Sequence, residues 1–199
     1  MTKIQSIILI SLALFCYLAF SCQQYVDKDG IKQKLASMVQ VDQELRKAIH
    51  YDKKIDPELK KIIDAKRDEH CQALKEILAC YDWITIDEFG AQADQHAWLL
   101  VQHADHDITF QKEILARLEQ LYPLGKTNQQ NYAYLYDRVA INEHRLQRYG
   151  TQGDFDNGVW KAYPMEDFAH IDERRATVGL QPLSEYIRMI HQIMCVKPS

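Results

Sequence analysis

His103 and Asp105 stand two residues apart in a stretch of otherwise apolar helical pattern. A histidine near a carboxylate is the simplest general acid/base arrangement a protein offers. Asp137 is a second carboxylate that could orient the ring. Arg138, its neighbour, carries a planar fork able to grip a carboxylate or phosphate through two parallel hydrogen bonds. A bland reading stands beside each of these. His103 can be a buried histidine bonded to a helix end with Asp105 as a cap, and Asp137-Arg138 can serve a structural ion pair. Gln111, Gln147, Thr151, Gln152 and Arg175 are further polar residues that interrupt apolar runs. Burying isolated polar groups costs several kcal/mol unless they pair. The expectation is that these residues come together and line one polar pocket. His103, Asp105 and Asp137 would be its catalytic candidates, and Arg138, Gln111, Gln147, Thr151, Gln152 and Arg175 its ligand-binding ones.

Other chemistries find less support. His103 and His106 lie three apart and could share a cation, but His96 is about 10 Å further along the same helix. That is too far for a zinc ion with bonds of about 2.0–2.1 Å, so no metal site is expected. No cofactor motif appears. After the first 21 residues the chain has only Ser37, Ser184 and Ser199 as serines, none in a Gly-x-Ser-x-Gly elbow.

Residues 31 to 50 place Ile31, Leu35, Met38, Leu45 and Ile49 at helical spacing. Asp56-Pro57-Glu58 opens a second helix that runs to about 81, with Asp68 as a possible break. Thr85-Ile86-Asp87-Glu88 fits a capping box. Helical pattern then covers Ala91 to Tyr122, with Asp105 or Asp107 able to cap a second segment. Thr127 can cap the next helix. Leu146–Gln152 and Val159–Tyr163 read as extended segments joined through Asn157-Gly158, a hairpin signal. Helix returns over 167–178 and stops at Gly179, and Pro182 opens the last one. The fold class is mainly α, a helical domain with one small β-hairpin at about 146–163.

The N-terminus carries its own message. Lys3, the apolar run Ile7–Phe20 and the small residues Ala19 and Ser21 before Cys22 describe a secretory signal over residues 1–21. The run falls short of the roughly 20 residues that span a bilayer. Leu18-Ala19-Phe20-Ser21-Cys22 resembles a bacterial lipobox, so Cys22 is expected to be lipidated, with 22–30 as a tether and 31–199 as a single domain. An ordinary signal-peptidase site before an unmodified Cys22 is the alternative. On this reading the protein is exported and lipid-anchored in the cell envelope, on a periplasmic or cell-surface face. The net charge is −4, and losing Lys3 with the signal makes it −5. A mildly acidic domain is no electrostatic trap for nucleic acid. The expected partners are the membrane, through Cys22, and a small molecule or envelope protein. Cys71 and Cys80 would sit roughly 13 Å apart on one helix, too far to bridge each other.

Several strings share an order with one bacterial family. Trp83-Ile84-Thr85 with Phe89-Gly90, Gln102-His103-Ala104-Asp105 with Gln111, and Asp137-Arg138-Val139 come first. Gln147-x-Tyr149-Gly150-Thr151-Gln152 and Arg174-Arg175 with Gly179-Leu180 follow. Together they resemble the markers of a family catalogued as a domain of unknown function, over roughly residues 70 to 187. The resemblance implies a shared domain and no activity. Two functions follow from the residues themselves: binding of a small anionic ligand or a partner, or acid/base hydrolysis or elimination by His103 with Asp137.

Overall fold

The computed structural model describes residues 27–48, 55–156 and 158–195, with backbone only for 193–195. Residues 1–21, expected to be a signal, lie outside these residues, as do Cys22 and Asn157. The chain divides into two compact units between His103 and Ala104.

In the first unit, α1 (Lys28–Lys47) and α2 (Pro57–Leu78) both pack on α4 (Ala91–Gln102), and α3 (Ile86–Phe89) leads into α4. Aspartates begin both long helices: Asp27 accepts from the Asp29 amide, and Asp56 from those of Glu58 and Leu59. Each cap satisfies amides that the first turn leaves without helical partners. Ile31, Leu35 and Met38 from α1, Leu74 and Ile77 from α2, and Ala97 and Val101 from α4 are buried. Each fully buried large aliphatic side chain contributes about 1.5–3 kcal/mol. Asp68 does not break α2, which is continuous. Thr85 occupies the N-cap of α3 but makes no capping hydrogen bond there. Cys71 is a buried free thiol and Cys80 is disulfide-bonded, so the two do not bridge each other. Among the described residues no helix is long and apolar enough to cross a membrane.

In the second unit, α5 (Ile108–Leu121) packs against α6 (Gln129–Asn142). Asp107, one of the two aspartates expected to cap, accepts from the Phe110 amide at 3.0 Å. Asn128 rather than Thr127 caps α6. Strands β1 (Gly153–Asp156) and β2 (Val159–Ala162) pair antiparallel, Gly153 opposite Ala162 and Asp156 opposite Val159. Gly158 turns the chain at φ 78°. The short helices α7 (Ile171–Thr177) and α8 (Leu183–Cys195) follow, with α8 against β2 and α7 against α8. Trp160, Ile171, Leu183 and Tyr186 form the small core where these meet.

The mainly helical fold with a single two-stranded hairpin is the one expected from the pattern. Its first strand is displaced. Leu146–Gln152 is not a strand; it touches the extended segment 163–166 through one parallel bridge, Gln147 with Met165. The backbone amides of this segment have another employment.

Candidate functional site

Asp137 lies on α6 with no exposed surface, and its carboxylate collects the segment that failed to become a strand. Oδ1 accepts from the amides of Arg148 at 2.7 Å and Tyr149 at 3.0 Å. Oδ2 accepts from both the amide and the hydroxyl of Thr151, each at 2.9 Å. Burial pushes the carboxyl above its ordinary range, while these donors oppose the rise. Gln147 closes the same loop from inside: its amide donates to the carbonyls of Gln152 and Tyr163, and its Oε1 accepts from the Gln152 amide. Gly150, at φ 66°, supplies the left-handed residue that lets the loop curl around the carboxylate.

Arg175 holds the loop from the other side. Its Nη1 reaches the Tyr149 carbonyl at 2.5 Å and its Nε the Gln181 carbonyl at 2.7 Å. The guanidinium sits 5.0 Å from the Tyr186 ring centroid, a cation–π contact in a buried site. Burial pulls it below the ordinary arginine value. Arg175 is therefore a buried clamp on carbonyls. Its neighbour Arg174 grips the carbonyls of Arg148, Glu166 and Asp167.

Arg138, one residue after Asp137, serves a different face. Its Nε and Nη2 meet the two oxygens of Asp105 at 2.7 and 2.6 Å, and its Nη1 reaches Gln152 Oε1 at 3.3 Å. Gln111 and Asn142 each donate to Asp105 at 3.2 Å. Burial pushes the Asp105 carboxyl up, but Arg138, Asn142 and Gln111 outweigh it and hold the carboxyl below the carboxylate range. Gln152 Nε2 then donates to the Thr151 hydroxyl at 3.1 Å, and that hydroxyl donates to Asp137. Asp105, Arg138, Gln152, Thr151 and Asp137 are thus one hydrogen-bonded string.

The ends of the string differ. Asp137 is fully buried and its two oxygens are taken up by donors of the 148–151 loop. Arg138 spends its fork on Asp105, so an anion would have to displace that carboxylate to reach it.

His103 belongs to the first unit, and its carboxylate partner there is Asp42. Nδ1 lies 2.7 Å from Asp42 Oδ2 and 2.9 Å from Arg46 Nε. One ring nitrogen cannot donate to the first and accept from the second. The shorter contact decides: with the proton on Nδ1, imidazole donates to the carboxylate and Nε2 becomes the basic nitrogen. Gln43 also donates to Asp42, at 3.0 Å. Burial pushes the Asp42 carboxyl up, and His103, Arg46 and Gln43 more than offset it, so it too lies below the ordinary range. The His103 and Asp42 side chains are 14% and 12% exposed, against 35% for Arg46. Arg46 commits its Nε alone; among the described residues its two Nη groups have no hydrogen-bond partner.

Asp42 and Arg46 escaped sequence reasoning. They are four apart on a helix, a spacing that reads first as an ordinary surface ion pair. Only the arrival of His103 from α4 gives them a second meaning. Among the described residues no three His, Cys, Asp or Glu side chains gather into a group that could hold a metal.

Residues 29–198 match the model of a family of unknown function, DUF6624. No curated protein and no solved structure matches the chain. A match over so much of the sequence, with both units included, shows the relationship: the chain belongs to the DUF6624 family.

Proposed function

We propose that this is an exported, lipid-anchored envelope protein that binds a small anionic molecule at the Asp42–Arg46–His103 cluster. The observation that carries the reading is the open guanidinium fork of Arg46 beside a histidine held at 2.7 Å by a carboxylate. A fork of this kind matches the two oxygens of a carboxylate or phosphate. The cluster takes over the anion-binding role expected of Arg138, whose fork is turned to Asp105, and of Arg175, which is buried and donates to two main-chain carbonyls. The signal-like first 21 residues and the lipobox-like string before Cys22 support export and anchoring, and the disulfide at Cys80 suits an oxidising compartment.

A second reading is acid/base catalysis on the same ligand. His103 is the base, and Asp42 replaces Asp137 as the carboxylate that orients the ring. The His103–Asp42 contact favours it, since a base so oriented is what proton abstraction needs. Hydrolysis or elimination next to the bound anion is the reaction class.

Calorimetric titration with phosphate and with a panel of small carboxylates tests the first reading. Arg46→Ala should weaken whichever anion binds by tenfold or more, about 1.4 kcal/mol, with little change in melting temperature. If no anion binds the wild type and Arg46→Ala mainly lowers stability, the cluster is structural. His103→Gln separates the two readings: loss of turnover with binding retained supports catalysis, and unchanged behaviour of a bound ligand supports binding alone. Intact mass of the native protein tests the anchor, which an unprocessed Met1 start would disprove.

A further inference from the structure

The second unit carries a cavity beside the loop around Asp137, two of whose lining residues, Met165 and Leu183, lie against Gly150. It is an open groove of about 620 Å³ between β2, the turn before α7, α7 and α8. That volume lies within the range of small-molecule sites. Its floor belongs to the small core, through Ile171 and Leu183, and its walls include Met165 and Ile187. Phe168 stands on the rim with 66% of its surface in water, an unusual place for a phenyl ring. The charged lining residues are both acids. Asp172 spends one oxygen on the Leu183 amide at 2.7 Å and feels the buried Arg175. Glu173 has no hydrogen-bond or ion-pair partner among the described residues.

An apolar cleft with an exposed aromatic ring and an uncompensated carboxylate at its mouth has a definite complement. Aliphatic or aromatic carbon fills the cleft, and a cation meets the carboxylate and the face of the ring. An anionic amphiphile would bring like charge to Glu173, and a neutral one would leave that carboxylate unused. We propose that this groove binds an apolar small molecule bearing an ammonium head, with Phe168 and Glu173 as its recognition residues.

The test titrates the protein calorimetrically with decyltrimethylammonium and, separately, with decyl sulfate, both below their micellar concentrations. The expected result is one-to-one binding of the ammonium compound, about tenfold tighter than the sulfate. Glu173→Gln should weaken the ammonium roughly threefold without weakening the sulfate, the scale of one exposed charge pair. Ala169→Trp, which fills the groove from an exposed turn, should abolish binding while the melting temperature stays within a few degrees. Equal affinity for the two compounds overturns the proposal, as does Ala169→Trp binding like wild type. Sedimentation at the same protein concentrations adds a further check. A dimer that Ala169→Trp dissociates would mean that a second copy occupies the groove, and would also overturn it.

Discussion

Asp137 and Thr151 are joined twice, since a single carboxylate oxygen accepts both the amide and the hydroxyl of the threonine at 2.9 Å. The pair fixes the loop to α6 at the point where the chain turns toward β1. It also ties the buried end of the polar string to its half-exposed end, because the same hydroxyl accepts from Gln152.

Replacing Asp137 with Asn keeps the shape and removes the charge. It also places an NH2 group where main-chain donors already point. We expect Asp137→Asn to lower the unfolding free energy by about 2–4 kcal/mol, the scale of leaving buried partners unpaired. Urea denaturation reads this directly. A loss below about 0.5 kcal/mol, the scale of an ordinary surface substitution, would contradict the role given to the carboxylate.

Thr151→Val removes one donor and one acceptor from the string and leaves the amide contact in place. The expected cost is about 1–2 kcal/mol. Combined with Asp137→Asn, the two losses should fall short of their sum, because they share a hydrogen bond. Strict additivity in the double-mutant cycle would show that the string is not coupled.

Acid should find the carboxyls of Asp105 and Asp42. Both are held below the ordinary value of 3.8 in the folded chain. Their contribution is therefore complete above that value and drains away as pH falls through the lower, folded one. Stability against urea should be insensitive to these two groups near neutral pH and fall below about pH 4. Asp105→Asn should be less stable than wild type at pH 7 and show a shallower decline in acid. Parallel acid limbs for the two proteins would remove the coupling to Arg138.

Gly153 begins β1 with the Trp160 indole and the Lys161 carbonyl pressed against the place where a side chain would start. The backbone carbonyl cannot swing aside as a flexible side chain would. Gly153→Ala should unseat the hairpin from the small core, at about 1–3 kcal/mol, as overpacking does. Tryptophan fluorescence and loss of amide protection across residues 153–162 would report it. An unchanged spectrum with unchanged stability would mean the hairpin accommodates a methyl group.

The helices were legible because apolar spacing and caps are local signals: Asp56-Pro57 and Asp107 start helices where the pattern places them. The displaced first strand shows where local reading stops. Leu146–Gln152 has strand-like composition, yet the amides of Arg148, Tyr149 and Thr151 go to a carboxylate on α6, a contact more than ten residues away in sequence. That Asp105, Arg138 and Gln152 interrupt apolar runs was legible, but their end of the string is half-exposed, so the cost of burial alone does not account for the grouping. The partner of His103 was not, since Asp42 is 61 residues away and nothing in its own neighbourhood marks it.

The clasp around Asp137 reads its loop mainly through main-chain donors, and that sets what the loop can vary. Amides at 148 and 149 are the same whatever side chain follows them, so position 148, whose arginine is half in water, is open to exchange without loss of loop shape. Positions 150 and 151 are not, one for its left-handed backbone and the other for its hydroxyl. The chain thus holds a rigid frame with an interchangeable outward residue, a place where the surface next to Tyr136, now covered by the Arg148 guanidinium at 4.5 Å, could be re-lettered while the architecture beneath it stays fixed.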